Sequence, residues 1–349
     1  MAVRRAGKEK ARMNTVGEER KILSDCMEKN SVALASCVEK RIARIYELAH
    51  VLCRKILSET GGDIMTAVCA FDEAREIYSE GKAALCRTVP MGKENADERR
   101  VVSDAVSLCD TFCLCRAISR FGGEKYTDAD VLGWLSDGDV IQSGRIGETK
   151  VAFVRGRQAN EAFSRFARCI PGGVMPFGEE SFADVCRSVY SGVTEYGIVP
   201  VENSSDGRLT GLYGLFERYG LYIIMLCEVG SGDGEGYTKF ALCSRSMKLL
   251  RAGGERILHI RLTLDTAGGL SDLLFCGKYF GASLRRADPV PTAATGRENS
   301  FDVSFCVDGA DIPALICALK LEYPQFSAVG IYTEIKAEGI RRYSESTRE

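Results

Sequence analysis

Histidine is scarce in this 349-residue chain, which has two, and tryptophan occurs once. Net charge is also nearly absent, since 46 Lys and Arg against 48 Asp and Glu leave −2. That balance argues against broad binding to nucleic acid or to an anionic membrane. No stretch offers about 18 uninterrupted apolar residues, so no membrane span is expected. The opening MAVRRAGKEKARMN is basic with no apolar run behind it, so it does not read as a secretory signal. A solvated, frayed tail over residues 1–16 is expected instead. Cys113 and Cys115 form a lone close pair with no second pair at zinc spacing, so neither a metal site nor a cofactor is expected. His50 falls in a helical pattern and His259 in a strand pattern, and both read as structural.

What is present is ordinary for a globular protein: 45% hydrophobic and 27% charged residues. The length predicts two or three domains. Cysteine is plentiful, with 15, but scattered among apolar neighbours. Without a signal these read as reduced thiols in a cytoplasmic protein.

Residues 18–58 contain no Gly and no Pro, and apolar residues recur at helical spacing through Ile42, Ile45, Leu48, Ala49 and Leu52. This predicts one long helix, ended by Gly61 and Gly62. A second helix is expected over residues 64–86, and a third from the Asn95–Asp97 cap to about Phe121. Residues 17–122 therefore form a helical domain, and 123–148 a linker with one short helix at 128–135. Strands then alternate with helices over 149–248, which predicts an α/β layer with a mainly parallel sheet. Residues 254–336 follow the order βαββαβ and read as a separate α+β, ferredoxin-like unit. A tail over 337–349 completes the chain.

Within the α/β part, YGIVPVENSSDGRLTGL ends an apolar strand on a dense set of short polar side chains. In open α/β sheets ligands bind past the carboxyl ends of strands. If a helix starts there, its free N–H groups attract an anion, with Asn203 and Ser204 as added donors and Gly207 allowing a tight turn. The alternative is a simple helix cap on a polar turn.

The run SFADVCRSVYSGVTEYGIVPVENSSDGRL resembles the prephenate dehydratase signature, and Tyr237-Thr238-Lys239-Phe240 stands where that family has Thr-Arg-Phe on a return strand. The fold implied is a periplasmic-binding-protein-like α/β lobe. The resemblance implies conversion of prephenate to phenylpyruvate, water and carbon dioxide. Thr238 would be the catalytic proton donor, and Asn203, Ser204, Gly207, Lys239 and Phe240 would hold the substrate. Residues 254–336 resemble the ACT domain that follows such lobes, with Gly268, Gly269, Leu270 and Asp288 at its allosteric positions. That resemblance implies binding of phenylalanine, feedback regulation and a homodimer or higher homo-oligomer. The helical domain is similar in outline to chorismate mutase, with Arg41, Arg44, Lys55 and Arg100 as its candidate cations. No nucleic-acid or membrane partner is implied.

The sequence departs from these patterns in places that bear on mechanism. The family's second lobe, and with it half of the cleft, has no counterpart in the short interval between Leu215 and Thr238. The loop after the first strand, Arg155 to Glu161, lacks the family's hydroxyls. Lys239 replaces an arginine, and an ammonium does not make the bidentate carboxylate contact of a guanidinium. Pro289 and Val290 replace a Ser-Arg pair in the ACT-like unit. An alternative therefore stands beside the enzyme: a non-catalytic, dimeric relative that senses phenylalanine or regulates a partner.

Overall fold

The computed structural model describes residues 2–88, 96–123, 125–136, 148–231, 236–250, 253–264, 269–290 and 299–335. The helical part comprises α1 (Ala2–Thr60), α2 (Ile64–Ala70), α3 (Asp72–Cys86), α4 (Ala96–Ser119) and α5 (Asp128–Leu135). α1 runs through the stretch expected to be a tail, because nothing between residues 2 and 60 breaks it except an isolated Gly17. Its second half buries Ile45, Ala49, Leu52 and Ile56, whereas residues 24–40 face solvent. The expected second helix is two, divided at Phe71, whose extended backbone caps both.

The α/β part follows as β1 (Thr149–Val154), α6 (Arg157–Ala167), β2 (Val174–Glu179), α7 (Phe182–Tyr190), β3 (Tyr196–Asn203), β4 (Gly207–Arg208), α8 (Thr210–Tyr219), β5 (Tyr222–Gly230) and β6 (Tyr237–Ser244). β2 falls where the sequence predicts a turn-rich stretch. It is an edge strand, which is where Pro176 can sit without costing a ladder hydrogen bond. The last part holds β7 (Arg256–Thr263), α9 (Gly269–Tyr279), β8 (Ser283–Pro289), β9 (Ser300–Cys306), α10 (Ile312–Glu322) and β10 (Ser327–Ile335), the expected βαββαβ order.

All the strands join one sheet in the order β2-β1-β3-β6-β5-β10-β7-β9-β8, with β4 beside β3. It is mixed rather than mainly parallel. β1 is parallel to β2 and β3, and β10 is parallel to β5, while the other pairs are antiparallel. The short β3–β4 hairpin and the β5–β6 return supply that antiparallel character without crossover helices. Nor does the C-terminal part stand separate. β10 pairs β7 on one side and β5 on the other, so both units share one sheet. Gly330 makes the joint possible, since a Cβ there would lie 2.1 Å from the carbonyl oxygen of Ile223. On the opposite side of the C-terminal unit α10 is apolar nearly all round and packs against α2, α4 and α5. One continuous core therefore links the helical part to the C-terminal strands.

Candidate functional site

The Asn203 corner forms differently from a helix start. β3 turns back through residues 204–206 into β4, with Glu202 opposite Arg208 and Asn203 opposite Gly207. Gly207 takes φ +68°, a left-handed conformation that suits glycine. The Asn203 side chain closes this turn on itself. Its Oδ1 accepts from the N–H groups of Ser205 (3.0 Å) and Asp206 (2.5 Å), and its Nδ2 donates to Asp206 Oδ2 at 2.8 Å. Ser204 is tied to the neighbouring strand: its N–H donates to the Tyr237 carbonyl at 3.0 Å and its Oγ accepts from Tyr237 N–H at 3.1 Å. α8 starts only at Thr210, so its N–H groups do not serve this corner.

Thr238 on β6 is the direct cross-strand partner of Asn203, so both side chains share a face of the sheet. That face carries α6. Thr238 Oγ1 donates to Gln158 Oε1 at 3.3 Å, in the first turn of α6. The N-cap of α6, Gly156, has no side chain to satisfy the helix's first N–H groups, and it follows the carboxyl end of β1. The group able to hold an anion beside Thr238 is thus the start of α6. Gln158 lies in the loop region that lacks the expected hydroxyls, and its amide side chain is a polar group the sequence reading passed over.

Lys239 and Phe240 do not join Thr238. Strand side chains alternate between faces, so Lys239 points to the opposite side, where its Nζ lies 2.8 Å from Glu334 of β10. Phe240 is 5% exposed and packs in the apolar layer beneath α6.

The face that carries Glu202 and Lys239 opens into a cavity of about 280 Å³ at the seam between the two units. Tyr213 of α8 lines it, as do His259, Tyr332 and Ser304 from the C-terminal strands. Ion pairs span the seam. Arg208 binds Asp288 at 2.8 Å and also Asp302, and its guanidinium lies 3.8 Å from the centre of the Tyr213 ring. Arg286 binds Glu202 at 2.6 Å, and Arg261 links Glu217 at 2.5 Å to Asp302 at 2.7 Å. Burial works to raise the Asp302 pKa, but Arg261, His259 and Arg208 together bring it below the usual carboxylate value. His259 is 2% exposed, and burial, its largest influence, pushes the imidazole pKa down to about 4, leaving it neutral near pH 7. Its Nδ1 lies 3.4 Å from Tyr332 Oη, and its buried Nε2 meets no partner among the described residues. Arg208 was legible only as a cation following a polar turn, and nothing in the sequence joins it to Asp302, 94 positions away.

Of the positions expected to be allosteric, Gly268 lies outside the described residues. Gly269 begins α9, and Leu270 packs against the core shared with the helical part. Asp288 sits at the same sheet end, with its carboxylate taken by Arg208 and Arg286. The four helical cations are not gathered. Arg41 Nε donates to both carboxylate oxygens of the 6%-exposed Asp110, at 2.8 and 2.9 Å, and its Nη2 donates to the same group. Lys55 pairs with Glu80 at 3.0 Å and lies roughly 21 Å further along the same helix from Arg41. Arg44 and Arg100 are exposed. Among the described residues, no group of three or more His, Cys, Asp or Glu is placed to hold a metal ion, and no helix is long and apolar enough to cross a membrane.

No protein-family model matches this sequence, and no curated protein matches it. Solved structures do resemble the fold. A prephenate dehydratase from Streptococcus mutans shares 18% identity, and the likeness covers 53% of this chain and 98% of that one at a TM-score of 0.44. GqqA, described as a novel type of quorum quenching acylase, shares 21% identity over 56% of this chain and 100% of its own, at 0.41. A prephenate dehydratase from Arthrobacter aurescens, solved in complex with L-Phe, shares 15% identity over 53% of this chain and 90% of that one, at 0.40. Each likeness extends over about half of this chain.

Proposed function

We propose that this chain is a prephenate-dehydratase-like protein that acts on a small carboxylate of phenylalanine synthesis, with Thr238 as its proton donor. The supporting observation is that Thr238, Gln158 and the uncapped start of α6 meet at the carboxyl ends of β1 and β3. Dehydration of prephenate expels carbon dioxide and a ring hydroxyl together. A hydroxyl donor beside the leaving oxygen assists its departure, and helix N–H groups hold a carboxylate. The Thr238 hydroxyl donates to Gln158 in the protein alone, so on this reading it turns from Gln158 to the leaving oxygen when substrate binds. Lys239 takes no part in substrate binding on this reading, because its partner is Glu334. The ACT-like unit is a regulatory module and the helical part a scaffold for self-association, since its cations are spread along α1 and α4.

A second reading has its own support. The Asn203 amide and the Ser204 N–H and hydroxyl oxygen already have partners within the protein, which suits a non-catalytic relative that binds a ligand and regulates. Phenylpyruvate absorbance after incubation of the purified chain with prephenate separates the two. The enzyme reading requires formation above the uncatalysed rate, and a flat trace leaves the regulatory one.

A further inference from the structure

All 15 cysteines of the chain are free thiols. Two of them meet where α4 of the helical part packs on α10 of the C-terminal unit. Cys115 and Cys317 are both fully buried, and their thiols are in hydrogen-bond contact. Cys53 and Cys69 act on Cys317 only at longer range.

Cys115 also touches Tyr78 of α3, whose Oη lies 3.4 Å from its Sγ. Tyr78 donates its single hydroxyl proton to Glu322 of α10, and Lys82 pairs with the same carboxylate. Toward Cys115 the phenol oxygen is therefore the acceptor, and the Cys115 thiol is the donor. With that proton given away, Cys115 Sγ faces Cys317 as an acceptor. The hydrogen bonds run one way, from Cys317 to Cys115, then to Tyr78 and to Glu322. The chain ends near the surface, where the Glu322 side chain is 13% exposed and that of Lys82 is 35% exposed.

Placing a phenol and a carboxylate at this junction carries a desolvation penalty that apolar residues would avoid. What the chain provides is a route for a proton out of the core. Burial by itself leaves a thiol protonated and inert, because the thiolate is the nucleophile. Cys317 fits that description, since its contact with Cys115 and its burial push the thiol well up. Cys115 differs, because its proton already points along a path to a carboxylate.

We propose that Cys115 and Cys317 are a hydroperoxide-reactive pair that closes to a disulfide between the helical part and the C-terminal unit. The Cys115 proton passes to Tyr78 as that of Tyr78 passes to Glu322, and the Cys115 sulfur attacks the peroxide. An S–O bond forms and the O–O bond breaks, leaving Cys115 as a sulfenic acid. The departing hydroxide or alkoxide takes up a proton from solvent, to which Glu322 releases the one it received. The Cys317 sulfur then attacks Cys115. The S–S bond forms, the S–O bond breaks, and the Cys317 proton leaves with the hydroxide as water. Two thiols are oxidised and one peroxide is reduced. No residue of the Thr238 site takes part, so this chemistry and the proposed reaction stand or fall separately.

The test treats the reduced full chain with hydrogen peroxide and maps its disulfides by mass spectrometry of a non-reduced digest. The folded protein should form a Cys115–Cys317 link, with a rise in melting temperature that dithiothreitol reverses. Cys317→Ala should stop the reaction at the Cys115 sulfenic acid, which dimedone traps. Tyr78→Phe keeps the ring and leaves Glu322 with Lys82. It should slow formation of the link at least tenfold, while the exposed Cys26 oxidises at an unchanged rate as an internal control. A tyrosine of purely structural value would not separate those two rates. The proposal is overturned if no Cys115–Cys317 link forms in a sample where Cys26 has oxidised. It is equally overturned if the link forms only in denaturant, if Cys317 joins Cys69 instead, or if loss of the Tyr78 hydroxyl leaves the rate unchanged. Mapping of the unaltered chain decides the matter even where a variant folds poorly.

Discussion

At the scale of single residues, His259 sets an acid limit on stability. Its folded pKa of about 4 lies below the ordinary 6.5, mainly through burial, so the unfolded chain takes up a proton before the folded one does. Stability contributed by the neutral imidazole is complete above about pH 6.5 and is lost as pH falls toward 4, by about 3 kcal/mol in all. Denaturant unfolding at a series of pH values should show that decline, and His259→Gln should flatten it between pH 6.5 and 4. Asn203 makes a second residue-scale case. Its side chain holds the turn rather than a ligand, so Asn203→Ala should lower the unfolding free energy by about 1 kcal/mol. Thr238 was singled out only through the resemblance of residues 237–240 to the family motif, and the structure sets it directly across from Asn203. Gln158 and Arg208 were not singled out, because their meaning lies in partners 80 positions or more away.

At the scale of elements, periodicity identified most helices and strands, and α9 and α10 are the two helices of the expected βαββαβ order. The failures share a cause. β2 alternates outward-facing residues around Pro176 because it borders solvent, so its local pattern resembles a loop. The Asn203 corner is rich in helix-capping residues, yet cross-strand pairing to Arg208 and Tyr237 overrides that preference. The same hairpin delivers Arg208 to the seam, where its side chain is 10% exposed and faces the 2%-exposed Asp302. Arg208→Met should destabilise the fold by about 3 kcal/mol, because removing one partner leaves a buried carboxylate short of its counter-charge. Arg261 still serves Asp302, which keeps the expected loss at the lower end of the usual range. The midpoint of chemical denaturation measures it.

At the scale of the whole molecule, reading the chain as separate domains underestimates their integration. Edge-to-edge pairing of β5 with β10 and the burial of α10 under the helical part are both invisible to local pattern, since each depends on surfaces that meet only after folding. One sheet and a shared core predict a single cooperative transition for residues beyond the exposed half of α1, which calorimetric and van't Hoff enthalpies in agreement would establish. The integration also leaves two chemically distinct groups of side chains on opposite faces of β3 and β6. The seam holds closed ion pairs around a neutral histidine, and the α6 side holds a hydroxyl, an amide and a free helix start.

The chemistry assigned to that second side is tested most directly by phenylpyruvate formation from prephenate, with Thr238→Val measured beside the unaltered chain. The expected result is measurable formation by the unaltered chain and a loss of about 10²- to 10⁴-fold in the variant, with its melting temperature retained. Equal rates in the two proteins, or no formation by either, would contradict it.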